Sequence, residues 1–363
     1  MTCWPDSRFI DLLGINAPII QAPMLGAGVD VMMGVAKAGG LGSLACATLS
    51  LEAIREEVAT FRAASDQPFN LNFFCHEAPE YDEAQIQHWK SLFKAYYQEL
   101  DADYDAPTPI SSRAPFDEAT CALIEELRPP VVSFHFGLPA QEWVARVKAT
   151  GAKILSSATT VEEAQWLEMN GCDGVIAMGS EAGGHRAMFL TRELNSQIGT
   201  FALVPQIADA VSVPVIAAGA IADARGIAAA FALGASAVQI GTAYLFCPQA
   251  KISKPHHRAL REANASDTAL TNLFTGRPAR GIVNRVMREV GPINPQAPEF
   301  PLAGGVLLPL KAKSEPSGSG DFINLWAGQA FPISPGRTAD LSSFELTRKL
   351  IDDYAARAAK SAE

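Results

Sequence analysis

Short apolar segments alternate with amphipathic stretches along the first two thirds of the chain, and this rhythm restricts the fold more than any other feature. The apolar segments lie at 18–24, 41–44, Phe69–Phe74, Val131–Phe134, 153–156, 174–177, 213–218 and Ala237–Ile240. Each is too short for a helix, and most run into glycine or proline, which reads as a buried strand and its turn. Between them, apolar positions recur at helical spacing over 30–38, 50–64, 116–127, Gln141–Ala149, 160–170, 201–210 and 223–233. Ser50, and either Thr159 or Thr160, stand where N-caps belong, and Gly39 and Gly171 where helices end. Eight strand–helix units predict an α/β fold, a (β/α)8 TIM barrel. An open doubly wound sheet is the alternative, but it seldom needs eight even units.

The rhythm breaks twice. Residues 76–114 form an insertion, helical over 83–100, then acidic and proline-bearing. So long an interruption in a compact domain predicts a lid or an oligomer contact, which makes a homodimer a candidate assembly. After Thr242 come helical patches and prolines (250–310), a Ser/Gly/Pro linker (313–320) and two closing helices (322–331 and 342–359). The predicted division is therefore a barrel over 1–246 and a smaller, mainly helical, substrate-covering domain over 247–320. C-terminal helices over 321–363 close on the barrel.

A net charge of −10 argues against nucleic acid and acidic membranes as general partners. No apolar run reaches the roughly 18 residues of a membrane-spanning helix. Met1-Thr-Cys-Trp-Pro-Asp6 lacks the basic and apolar regions of a signal peptide, so a cytoplasmic location is expected. The six cysteines, at 3, 46, 75, 121, 172 and 247, show no metal-ligand spacing and read as reduced thiols. Cys75 and Cys247 fall near strand ends, where they could line a site.

Chemistry concentrates where strands end. The sixth strand runs into Met178-Gly-Ser-Glu-Ala-Gly-Gly-His-Arg186, delivering His185 on the mouth side of a barrel. Gly219 and Ala220 follow the seventh strand; Gln239, Ile240, Gly241 and Thr242 end the eighth. Loops there commonly bind phosphate, because small residues let backbone N–H groups approach an anion. Taken singly, these glycines are also ordinary turn punctuation, and His185 also reads as a surface-loop residue capping a helix.

Together the motifs carry a resemblance. Gln21-Ala-Pro-Met24, Ala38-Gly-Gly-Leu-Gly-Ser43, Phe69–Phe74, Glu181-Ala-Gly-Gly-His-Arg186, 216–226, 238–242 and Gly276-Arg-Pro-Ala-Arg280 are similar to the nitronate monooxygenase family. The resemblance implies an FMN-bound barrel, a covering domain, and oxidation of alkyl nitronates, such as propionate 3-nitronate, by O2 to a carbonyl compound and nitrite. It implies FMN contacts from Pro23, Met24, Asn72, Met178 and Gly183, with the phosphate on Gly219, Ala220, Gly241 and Thr242 beside Gln239 and Ile240. His185 matches the family's active-site histidine, which either polarises the nitro group or takes an α-proton. His135, after the fourth strand, is a candidate substrate contact; it reads equally as a histidine packed between two phenylalanines. Phe300 and Lys311 lie roughly where relatives hold substrate-facing side chains.

The pattern departs at Met178, where the family usually has glutamine, and at Ala220 and Ala224, where glycines are usual. An NAD(P)H-dependent flavin reductase, acting on a quinone or an enoyl thioester, is the alternative activity on such a barrel; a flavin-binding sensor is the non-enzymatic one. No Gly-x-Gly-x-x-Gly opens a helix to support tight dinucleotide binding. His256 and His257 are adjacent, so they face apart on a helix and read as surface residues. Arg277 and Arg280 flank a proline turn and read as structural, with Arg277 able to reach the phosphate end.

Overall fold

The computed structural model describes residues 4–110 and 113–361, so Cys3 lies outside the described residues. Eleven strands follow in order: β1 (Ile19–Gln21), β2 (Gly42–Ala45), β3 (Phe69–Phe74), β4 (Val131–His135), β5 (Lys153–Ala158), β6 (Gly174–Met178), β7 (Gly184–His185), β8 (Val215–Ala218), β9 (Ala237–Ile240), β10 (Thr268–Thr271) and β11 (Ala279–Ile282). Eight of them form one parallel sheet in the order β1-β9-β8-β6-β5-β4-β3-β2. A parallel bridge between Ile20 and Leu41 joins its two edges. The sheet is thus closed as a (β/α)8 barrel, and the helices pack outside it.

Alternation along each strand decides what faces where. On β3, Phe69 meets Phe61 and Phe73 meets Phe116 at ring separations of 4.9 and 5.4 Å, in the helix layer. Asn70 and Asn72 point the other way, where they form a polar network in the barrel. The Asn70 amide donates to Ser43 Oγ and Ser133 Oγ at 3.0 and 2.9 Å, and Asn72 Nδ2 donates to Ser133 Oγ at 2.9 Å. The helix starts follow the capping signals: Ser50 Oγ accepts from Ala53 N and Thr160 Oγ1 from Glu163 N.

The insertion and the segment after β9 share a second core. Trp89, Phe93 and Tyr97 pack with Leu273, Val306, Leu307 and Leu310. Trp89 Nε1 donates to the Ala303 carbonyl at 3.0 Å, and Tyr97 Oη to the Val306 carbonyl at 2.7 Å. The segment after β9 is less helical than its sequence suggests. It contributes the antiparallel pair β10–β11, and β11 also pairs with β7, the short strand inside the loop after β6.

Two expectations for this region are overturned. Residues 313–320 are not a linker: the helix Leu308–Ser314 passes into a 3-10 turn, Glu315–Ser317, ended by Gly318 in a left-handed conformation. Residues 322–331 are not a helix. Their apolar spacing suits one, but the edge of β11 takes them as an extended strap: Ile282 N donates to the Leu325 carbonyl, and Ala327 N to the Arg280 carbonyl. The last helix, Ser343–Ser361, lies on the barrel helices Gly28–Lys37 and Ala224–Ala232. Tyr354 stacks on Trp4 at 4.7 Å there. Among the described residues no helix is long and apolar enough to cross a membrane.

Candidate active site

A cavity of about 390 Å³ opens at the C-terminal ends of the barrel strands, within the usual range for a small-molecule site. Pro23, Met24, Asn72, His135, Met178, Gly183, His185, Gly219, Ala220, Gln239, Gly241 and Thr242 all line it. Ile240 does not. It lies between Gln239 and Gly241, so the strand period turns its side chain away into the hydrophobic core, where it is fully buried. Cys75 and Cys247 are also absent from the lining. The described cysteines, at 46, 75, 121, 172 and 247, are free thiols.

One end of the cavity is built from backbone. The N–H groups of Gly219, Ala220, Gly241 and Thr242 make no hydrogen bond to another described residue. All four residues line the cavity, and backbone N–H groups left without a protein partner and clustered on one cavity wall suit an anion. The cradle has no room for side chains at its tightest point. Gly219 has φ +106°, and an added Cβ there would lie 2.8 Å from Thr200 Oγ1 and 3.1 Å from Ala182 N. The neighbouring helix Ala224–Ala232 adds less than its position suggests, because the Asp223 side chain already accepts from Arg225 N and Gly226 N.

The strap roofs this end. Gly328 N donates to Thr242 Oγ1 at 3.0 Å, and Gln329 N to the Glu181 carbonyl at 2.9 Å. Gly183 is where strap and loop cross: an added Cβ would sit 2.5 Å from Gly328 N and 2.6 Å from the Ala327 carbonyl carbon. The crossing requires glycine. His256 belongs to the same cover and corrects its surface reading. It is buried, lines the cavity, and its Nε2–H donates to the Trp326 carbonyl at 3.0 Å.

The other end is aromatic. The His185 ring has Phe300 at 5.3 Å, Trp326 at 5.6 Å, and Phe74 and Phe136 at 6.0 Å. Burial holds the His185 pKa well below the usual histidine value, and the Arg113 and Arg277 guanidiniums push in the same direction, as would a charge on His135 or His76. Burial likewise brings His135 down to about 4. His135 Nε2 lies 3.1 Å from the His185 carbonyl, which only accepts, so this nitrogen carries the proton. The histidines at 135 and 185 are neutral near pH 7.

Two arginines brace the loop. Arg186 is fully buried: Nη1 and Nη2 donate to the Gly179 and Met178 carbonyls at 2.7 Å each, and Nε to Gln197 Oε1 at 2.8 Å. Arg280 Nε donates to the Ser180 carbonyl at 2.9 Å. Arg277 does not line the cavity; it lies over the Phe136 ring at 4.1 Å, with Nη1 on the Met188 carbonyl.

A nitronate monooxygenase family model matches residues 6–352. The chain belongs to the nitronate monooxygenase family. A nitronate monooxygenase of Pseudomonas aeruginosa is 39% identical over 353 residues, covering 95% of this chain and 98% of its own. One from Paraburkholderia phytofirmans is 38% identical over 344 residues, covering 94% of each. The solved structure of a nitroalkane oxidase from Streptomyces ansochromogenes superposes with a TM-score of 0.85 at 34% identity, covering 98% of this chain and 100% of its own. FabK from Thermotoga maritima shares the fold, with a TM-score of 0.73 at 24% identity over 98% of each chain. Membership in this oxidoreductase family makes the protein an enzyme.

Against the family pattern, the departures differ in consequence. Met178 is buried with Ala182 and Ala187, and its side chain lines the cavity where the usual glutamine would offer an amide. Ala224 is the first residue of its helix and needs no glycine. Ala220 does: it adopts φ +57°, in the left-handed region. Ala220→Gly should therefore raise stability by about 0.5–1 kcal/mol, the relieved strain exceeding the added chain entropy. A denaturation midpoint equal to or below that of the parent would contradict this. Sequence reasoning missed Phe74, Arg113, Thr275, Asn324 and Trp326, of which all but Thr275 line the cavity. Lys311 also lines it, paired with Glu315 at 3.7 Å.

Proposed function

We propose that the protein binds FMN in this cavity and oxidises alkyl nitronates with O2, releasing a carbonyl compound and nitrite. The observation that carries the reading is the pairing of an unpartnered backbone N–H cradle with a neutral, aromatic-walled histidine at opposite ends of one cavity. Gly219, Ala220, Gly241 and Thr242 would hold the phosphate, and Pro23, Met24, Asn72, Met178, Gly183 and Gln239 would flank the ring system. FMN, when bound, supplies the electron acceptor for the nitronate and the route to O2.

The chain's own residues do the rest. Phe74, Phe136, Phe300 and Trp326 exclude water around His185, which strengthens its interaction with a charged substrate. His185 accepts the α-proton of a neutral nitroalkane, and in its protonated form it pairs with the nitronate anion. His135 tethers the His185 backbone through its Nε2–H and turns its ring toward the same cavity.

Anaerobic mixing of the yellow protein with propionate 3-nitronate, and separately with NADH, tests this reading. The flavin absorbance should bleach rapidly with the nitronate and not with NADH. Bleaching by NADH alone would instead identify a nicotinamide-dependent flavin reductase.

A further inference from the structure

His185 does not stand alone in its pocket. Its Nε2 lies 3.0 Å from Thr275 Oγ1. Thr275 is buried, so water does not compete for that contact. A threonine hydroxyl has a single proton to give. Oγ1 also lies 3.4 Å from the Arg277 carbonyl, at the long end of hydrogen-bond range, and a carbonyl can only accept. With the hydroxyl proton turned there, Oγ1 presents a lone pair to the imidazole. The ring must then carry its own proton on Nε2. Its basic lone pair is left on Nδ1, which makes no hydrogen bond to any described residue, on a ring that lines the cavity.

We infer that Thr275 is a positioning residue that fixes the His185 tautomer, holding Nε2–H and leaving Nδ1 as the base toward the substrate. The tautomer is a property of the protein; only its catalytic consequence rests on the proposed nitronate chemistry. In that consequence the α C–H bond of a neutral nitroalkane breaks and its proton bonds to Nδ1. The electron pair passes into the nitro group, giving the nitronate beside an imidazolium whose Nε2–H is still held by Thr275. A preformed nitronate has already lost that proton and does not need the base. The charged and titratable groups facing His185 are Arg113, Arg277, His135 and His76; the two guanidiniums oppose the imidazolium, and the two histidines, neutral near pH 7, do nothing to stabilise it. A misplaced tautomer would therefore not be rescued by protonating the ring.

The test uses the holoenzyme labelled with 15N-histidine, with the His185 signals assigned by their loss in His185→Asn. The parent should show the Nε2–H tautomer, Thr275→Val a mixed or reversed one, and Thr275→Ser the parent pattern. In Thr275→Val, kcat/KM for nitroethane should fall about tenfold or more, while that for ethylnitronate changes by less than about threefold. The apparent pKa on the acidic side of the nitroethane kcat/KM profile, where the base is protonated, should move and return in Thr275→Ser. An Nδ1–H tautomer in the parent overturns the inference without any variant. So does an unchanged tautomer in Thr275→Val with an unchanged ratio of the two substrates. If the parent turns over neither substrate while the tautomer responds as expected, the functional reading fails and the Thr275 assignment stands.

Discussion

His185→Asn should lower kcat/KM for a neutral nitroalkane by roughly 10²–10⁴-fold, the usual worth of a general base. Turnover of the preformed nitronate should fall by no more than about tenfold, because that substrate has already lost its α-proton and loses only the contacts of the neutral imidazole in the pocket. Flavin content should be unchanged, since the cradle of Gly219, Ala220, Gly241 and Thr242 lies at the other end of the cavity. Oxygen uptake with nitroethane and with its nitronate, at matched flavin content, measures both effects. Equal activity of parent and variant on nitroethane would remove His185 from proton transfer. Equal losses on the two substrates would make its role binding rather than base catalysis. The neutral state of the ring is what permits the first role: burial among Phe74, Phe136, Phe300 and Trp326 lowers its pKa, so the base form is present throughout the neutral range.

The barrel was legible because its signals are local. Glycines mark where strands stop, and the alternation Phe69–Asn70–Leu71–Asn72–Phe73 shows that one face is polar and one apolar. That rule should have excluded Ile240 from the cavity, since its neighbours Gln239 and Gly241 face it. The strap was not legible. Residues 322–331 have helix-like apolar spacing, and only pairing with β11, some forty residues earlier in sequence, holds them extended. His256 is misread for the same reason: its burial depends on the strap, not on its own helix. Thr275 and Arg113 carry no motif at all. Each reaches His185 from a distant part of the sequence, and the contact exists only once β7 pairs with β11 and the insertion folds onto the segment after β9. What local sequence does reveal at the site is the backbone cradle; what it hides is the side-chain environment of the base.

Arg186 links these two parts, and removing it should have the largest effect on the fold. Its guanidinium is a buried fork spanning the end of β6: two carbonyls, of Met178 and Gly179, and the Gln197 amide oxygen all take their protons from it. Burial brings its pKa down only to about 10, so it remains charged at neutral pH. Arg186→Met fills much of the space but strands three acceptors in the interior, at about 1–3 kcal/mol for each unsatisfied group. Relaxation recovers some of that, leaving an expected loss of about 3–5 kcal/mol, read from the urea midpoint at constant m-value. Arg186→Lys keeps the charge but cannot reach three acceptors in one plane, so it should fall between the two. The adjacent His185 would move as well, because Arg186 N donates to the Pro278 carbonyl beside the β7–β11 pair that sets the histidine. Nitroalkane turnover should therefore fall in Arg186→Lys even where the protein remains folded and yellow. A lysine variant with parent stability and turnover would show that the loop after β6 is held by β11 and Arg280 alone.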